Sequence, residues 1–308
     1  MFRSIRSWQL FLAVGGLCAI SLAGMYWWNL RRSAGIDHLF RRLPVERAII
    51  AGVDVKALRA AGVLDLLAGA RGVEELDYKE FVQQTGFDYR EDLDYVAAAF
   101  DAEHKYFLLR GRFDWGLLTR FSAAKGAACT NLFCSLRGDE PGKNLSYFPL
   151  SRDVLALAIG FAPRAAYSLM NEREPESGFQ IPQDAIWASL PGPLLAASKN
   201  LPDGVKAYAA TRSSAERVTI GLAAGATGIE ARLQADCTAA PAAAELRDRL
   251  QDLTELLRKM LARAGQQPKP GELAAVLLTG RFEANGKTLR ATWPVPRAFL
   301  ANLAAETP

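Results

Sequence analysis

Apolar and polar positions along the chain fall into three regimes. Residues Trp8 to Trp28 read WQLFLAVGGLCAISLAGMYWW, without a single charge. About 20 apolar residues at ~1.5 Å rise each cover a hydrocarbon core about 30 Å thick, so this run is long enough to cross one bilayer. Beyond it, segments of period two and period 3.6 are mixed over residues 48–171, and again over 179–308. The expected organisation is a membrane anchor with basic flanks over 1–32, a juxtamembrane linker over 33–47, and two modules over 48–171 and 179–308.

In the first module, Ala48 to Val55 reads as a buried strand and Lys56 to Ala68 as a helix. A second helix spans Leu76 to Gln84. Tyr95 to Asp101 and Lys105 to Phe113 form an expected hairpin, and Asp114 is placed to cap a helix over Trp115 to Ala124. Short strands follow near Cys134 to Arg137, Leu145 to Pro149 and Val154 to Gly160, then a helix begun at Pro163. The polar stretch Asn171 to Gly178 marks the boundary. In the second module, a strand over Ala185 to Leu190 precedes a short helix near Pro193 to Lys199. Val218 to Ala223 and Gly228 to Asp236 then alternate apolar and polar residues around a Gly-containing turn. Ala242 to Ala264 carries Leu246, Leu250, Leu253 and Leu257 on one stripe, a pattern suited to covering a sheet or to a coiled-coil seam; the seam is short, which favours the sheet. A final hairpin is expected from Ala274 to Phe282 and Lys287 to Trp293, with a last helix from about Pro296 to Ala304. Strands too seldom separated by helices for regular βαβ repeats indicate an α+β class, with mainly antiparallel sheets covered by helices. The string Leu108 to Asp114 is echoed by Leu277 to Glu283 as LLxGRF followed by an acid, which hints at two related modules.

The apolar start admits two readings. A cleaved signal peptide would use Arg3 and Arg6, the apolar stretch Leu10 to Ile20 and the small residues Ser21 to Ala23. The run continues, however, through Trp27 and Trp28, and aromatic residues suit a membrane interface, so an uncleaved anchor is favoured. Arg3, Arg6, Trp8, Trp27, Trp28, Arg31 and Arg32 are then its interface residues. The four arginines at 31, 32, 41 and 42 argue for a cytoplasmic C-terminal part, whereas a long globular domain weakens that rule. The expected place is the inner (cytoplasmic) membrane, single-pass, with the modules on the periplasmic side.

Charge sharpens this division. The net charge of +4 conceals seven arginines against two acids in residues 1–47, which leaves −1 for the rest. A basic flank of this kind suits anionic headgroups of the lipid bilayer, and no nucleic acid partner is expected. Cys129 and Cys134 are separated by four residues and suit a disulfide in an exported protein. A zinc site is the rival, but it would need two further ligands, and only His38 and His104 are present. No metal or other cofactor is expected.

The candidate chemistry is sparse. Ser122 and Lys125 have the spacing of a serine activated by a helical lysine, without the partner motifs of such enzymes. Glu74, Glu75, Asp77 and Glu80, with Asp88, Glu91, Asp92 and Asp94, lack calcium-loop spacing and read as a solvated face. His104 falls at a turn. Arg110 and Arg112 share a strand face on which they would suit an anion, and Arg137-Gly138-Asp139 spells an adhesion tripeptide in a turn. No residue is assigned as catalytic.

Leu43-Pro44 with Ala48 to Arg59, Gly86-Phe87-Asp88 with Asp92 to Asp94, and Arg110 to Asp114 are similar to uncharacterised membrane-anchored bacterial envelope proteins with tandem α+β modules, mainly over residues 43–160. The resemblance implies an exported α+β protein on an N-terminal helix and carries no catalytic residues with it. The expected function is that of a non-enzymatic protein that binds another protein or an envelope component. A membrane-anchored hydrolase is the alternative.

Overall fold

The computed structural model describes residues 35–45, 48–64, 76–138, 141–173, 179–192, 215–225, 228–269, 271–299 and 302. The expected anchor and its seven interface residues lie outside the described residues. Among the described residues no helix is long and apolar enough to cross a membrane.

The architecture is mixed α+β, built on a twelve-stranded antiparallel sheet. Its strands are β1 (Ile49–Val53), β2 (Leu93–Phe100), β3 (Lys105–Gly111), β4 (Ala128–Thr130), β5 (Phe133–Arg137), β6 (Asn144–Ser151), β7 (Val154–Gly160), β8 (Ile186–Pro191), β9 (Ala215–Gly225), β10 (Gly228–Cys237), β11 (Arg281–Asn285) and β12 (Thr288–Val295). They lie in the order β11-β12-β10-β9-β8-β1-β2-β3-β7-β6-β5-β4. β1 therefore pairs with β2 on one side and with β8 on the other, and a single sheet runs through both halves of the sequence. Part of the expected boundary, residues 174–178, lies outside the described residues.

Because side chains alternate across a strand, the register sorts them into two faces. The front face carries Ile50 and Gly52 of β1. Next to them stand Tyr95, Ala97 and Ala99 of β2, then Tyr106 and Leu108 of β3, then Val154, Ala156 and Ala158 of β7. This surface is the main core. Over it lie α1 (residues 35–40), through Leu39 and Phe40, and a 3-10 helix (Ala165–Leu169), through Ala165, Ala166 and Leu169. The alanines of β2 and β7 leave room for that close approach. On the back face of β5, β6 and β7, α5 (Trp115–Ala124) covers Cys134, Tyr147 and Leu155 with Trp115 and Leu118. Asp114 caps α5 by accepting the Leu117 N–H at 2.9 Å. α3 (Leu76–Thr85) packs on α5 through Phe81 and Phe121, whose ring centroids are 5.2 Å apart.

In the second half the back face is again apolar. Leu250 of α6 (Ala240–Arg263) sits on Ala235, Leu289 and Ala291, joined by Leu246 and Trp293, so the leucine stripe covers the sheet. α7 (Leu273–Leu277) adds Val276 against Val295.

Two expectations change. Residues 35–43, expected as part of the juxtamembrane linker, belong to the core: Leu39, Phe40 and Leu43 are buried at the i, i+1, i+4 positions of an amphipathic turn. Residues 274–277, expected as strand, are helical, because a short apolar run fits either state and burial of Val276 is available to a helix. The LLxGRF echo is therefore strand at 108–111 and helix-then-turn at 277–280, not a structural repeat.

The joint at β1 is tight. A Cβ added at Gly52 would lie 2.5 Å from both the Trp187 Nε1 and the Tyr95 hydroxyl oxygen. Trp187 is buried, packs on Phe40 at 5.1 Å between centroids, and has its indole directed at the same space as Tyr95. Burial pushes the Tyr95 hydroxyl up to about 12, so it stays neutral. Gly52→Ala should lower unfolding stability by about 3 kcal/mol through overpacking. A lower midpoint in urea at unchanged slope is the expected result; an unchanged midpoint would show that the rings yield freely.

Candidate functional site

The candidate residues from sequence do not converge. Cys129 and Cys134 face each other across the β4–β5 hairpin and are joined in a disulfide, so the zinc alternative is not taken. The turn between them places Asn131 and Leu132 at φ of 49° and 66°, the geometry of a two-residue hairpin loop with both central residues left-handed. Ser122 Oγ lies 2.6 Å from the Tyr147 hydroxyl, while Lys125 Nζ bonds the Glu80 carboxylate at 3.1 and 3.2 Å. The serine and lysine are thus held apart by other partners. Burial also pushes the Tyr147 hydroxyl up, so the group facing Ser122 is a neutral phenol.

The acidic residues have structural tasks. Asp88 accepts the Arg90 N–H as cap of α4 (Tyr89–Asp92) and also the Tyr78 hydroxyl, whose pKa rises by burial first and by this bond second. Asp92 holds Arg112 at 2.8 Å, and Arg110 donates to the Gly35 carbonyl at 2.7 Å. The expected anion site of Arg110 and Arg112 is therefore split between two partners. His104 lies over Gly160 and stacks on Tyr106 at 5.4 Å. Asp139 of the tripeptide, with Glu74 and Glu75, lies outside the described residues. Among the described residues no group of three or more His, Cys, Asp or Glu side chains is arranged for a metal.

The concave site lies elsewhere, on the front face of the second half. Across β9, β10 and β12 the register aligns Arg217 with Asp236 and Thr288, Thr219 with Gln234 and Arg290, and Gly221 with Arg232 and Thr292. Every one of these positions is polar or glycine, while the residues between them feed the apolar back face. The segment Phe179 to Asp184 forms one wall, and the trough encloses a volume of about 770 Å³.

Its electrostatics are balanced. Arg217, Arg232 and Arg290 line it with Asp184, Glu230 and Asp236. Arg232 bridges Asp184 at 3.2 Å and Glu230 at 3.3 Å. Asp236 accepts from Thr288 at 3.1 Å and from Gln234 at 3.2 Å. Arg217 donates to Ser189 Oγ, which also accepts from Thr219, and its guanidinium lies 5.1 Å over the Phe179 ring. Gly221 is glycine for a steric reason: a Cβ there would come within 2.4 Å of the Asp184 carboxylate, which rests on the bare backbone. Burial raises the Asp184 pKa, and the Arg232 guanidinium opposes the rise without cancelling it.

Chemically, this is a surface of fixed donors and acceptors. The Thr219 hydroxyl donates to Ser189, which also accepts from Arg217, the Thr288 hydroxyl donates to Asp236, and neither histidine lines the trough. The alternation in β9, β10 and β12 is visible in the sequence. What places nine such positions side by side is the strand order, which no single segment encodes.

No family model and no curated protein matches the chain. Among solved structures the chain is similar to crystal form IV of TP0453, with a TM-score of 0.48 and 12% identity over 86% of this chain and 94% of that one. Form III gives 0.47 and 13% over 86% and 95%, and form I gives 0.44 and 14% over 83% and 93%. Likeness at this level carries no argument about activity.

The raised Asp184 pKa has a sign that can be tested. The folded state holds its proton to higher pH than the unfolded chain, so stability falls as pH rises from the ordinary carboxylate value of about 3.9 through the folded value. Chemical unfolding of the wild type and of Asp184→Asn across this range should show the wild type losing stability relative to the variant. A relative gain would mean that the Arg232 ion pair outweighs burial.

Proposed function

We propose that this chain is a single-pass, membrane-anchored, non-enzymatic binding protein that recognises a polar ligand in the trough over β9, β10 and β12. The observation that carries the reading is the trough itself. Three strands devote a whole face to paired charges, hydroxyls and amides around a cavity of about 770 Å³, where a solvated sheet face needs no wall. A lining with equal numbers of cations and acids favours a ligand that offers both donors and acceptors along its length, such as an extended segment of another protein or a cell-envelope component. Prealigned polar groups bind such a ligand with little reorganisation.

The anchor is the run from Trp8 to Trp28, whose length supports one bilayer crossing. The Cys129–Cys134 disulfide supports an oxidising compartment and hence the periplasmic side of the inner membrane. A hydrolase built on Ser122 and Lys125 would require Lys125 to leave Glu80 and reach Ser122.

A photo-crosslinking residue placed at Thr292, on the trough, and separately at Arg258, exposed on α6, tests the reading in membranes carrying the full chain. A discrete adduct from position 292, lost when Arg232→Ala is added and absent from position 258, is expected. Equal labelling from both positions would contradict it.

A further inference from the structure

We infer that the surface formed by Phe161, Tyr167 and Met170, with Leu132 at its edge, lies against the headgroup and upper acyl region of the lipid bilayer. The inference rests on the anchor reading and extends it to the orientation of the folded part.

These four side chains are large, apolar and unusually open: Phe161 is 55% exposed, Met170 51%, Leu132 41% and Tyr167 40%. They belong to one region. Phe161 to Met170 is a single segment that leaves β7 and crosses the front face. Tyr167 stacks on Phe133, the neighbour of Leu132, at 4.3 Å between centroids. The Phe161 carbonyl accepts from Asn144, and its ring lies beside Gly142. Buried Ala165, Ala166 and Leu169 fasten the segment from beneath, so the exposed side chains stand on a fixed base.

The chain path brings this region to the membrane. Six residues, 29–34, separate Trp28 from Gly35, and the seven steps between them, at ~3.3–3.6 Å each, reach at most about 25 Å. Gly35 is itself held, since Arg110 donates to its carbonyl at 2.7 Å. The turn after α1 is bound to the same surface segment, because Arg42 bonds the carbonyls of Leu169 and Met170 as well as Glu172. Gly35 lies seven residues before Arg42, about 10 Å along a helical path, so the point where the chain leaves the fold is held within about that distance of the residue that bonds the Met170 carbonyl, and the tether keeps that point near the interface. Exposed Arg41 and Arg164 add positive charge at the same place, suited to anionic headgroups. Aromatic and long apolar side chains beside cations are the composition that interfaces favour. The other strongly exposed apolar side chains, Leu256 and Met260 on α6, Leu273 on α7 and Ile220 on β9, lie in the second half of the chain, on the back face or on the outer side of the helices that cover it.

The test uses the full chain with Cys18→Ala, carrying a spin label at Phe161→Cys, Met170→Cys or Lys259→Cys, in vesicles of phosphatidylethanolamine and phosphatidylglycerol. The first two sites are already exposed, so labelling leaves the core intact. Collision with a water-soluble nickel chelate should drop several-fold at 161 and 170 relative to the detergent-solubilised chain, while 259 stays unchanged. If the chain floats with the vesicles and all three labels remain equally open to nickel, the orientation is refuted and the anchor stands. A chain that fails to float refutes the anchor and this inference together. Protection at 161 and 170 in native membranes but not in pure lipid vesicles would assign the patch to a protein and overturn the lipid assignment.

Discussion

The rest of the structure depends on the packing of Trp187 over Gly52. β1 is five residues long and must pair on both edges to hold two halves of the chain in one sheet. At Gly52 it has no side chain on the front face. The space is filled instead from both flanks, by Tyr95 of β2 and Trp187 of β8. Trp187 then meets Phe40 at 5.1 Å and Phe179 at 6.1 Å. One indole thus touches the helix that follows the apolar run and the segment that walls the trough.

From that joint the front face changes character. Toward β7 it is apolar and closed by α1 and the 3-10 helix; toward β12 it is polar and open. The change falls across β8, where Trp187 is followed on the same face by buried Ser189, the first hydroxyl of the polar network. A buried hydroxyl must find partners, and Ser189 finds Thr219 and Arg217 of the neighbouring strand. The helices follow the apolar surface and not the sequence halves. α6 and α7 lie behind the polar trough because only the back face of β10 to β12 is apolar.

Much of the local structure was legible. The helix 115–124 with its Asp114 cap, the paired strands at 93–111 and 215–237, the leucine stripe of α6 and the Cys129–Cys134 pair all announce themselves through spacing within a few residues. Long-range features did not. That Arg110 would turn to the Gly35 carbonyl, or that Ile36 to Leu43 would pack as core, follows from contacts between segments about 75 residues apart. The trough belongs to this second class. Arg217, Arg232 and Arg290 read separately as solvated positions on alternating strands, and only strand order makes them neighbours of Asp184. Ser122 and Lys125 show the converse, a spacing that suggests chemistry until Tyr147 and Glu80 claim the two side chains.

The central claim is that β1 joins both halves into one cooperative body that carries the patch near the chain exit and the trough at the other end. Native-state hydrogen exchange of the intact chain in increasing denaturant tests this most directly. The account predicts that the slowest amides of β2, β3 and β7 and those of β9 and β10 merge into one global opening with the same free energy and the same denaturant dependence. Two separate openings, with β9 and β10 released while β2, β3 and β7 stay protected, would contradict it.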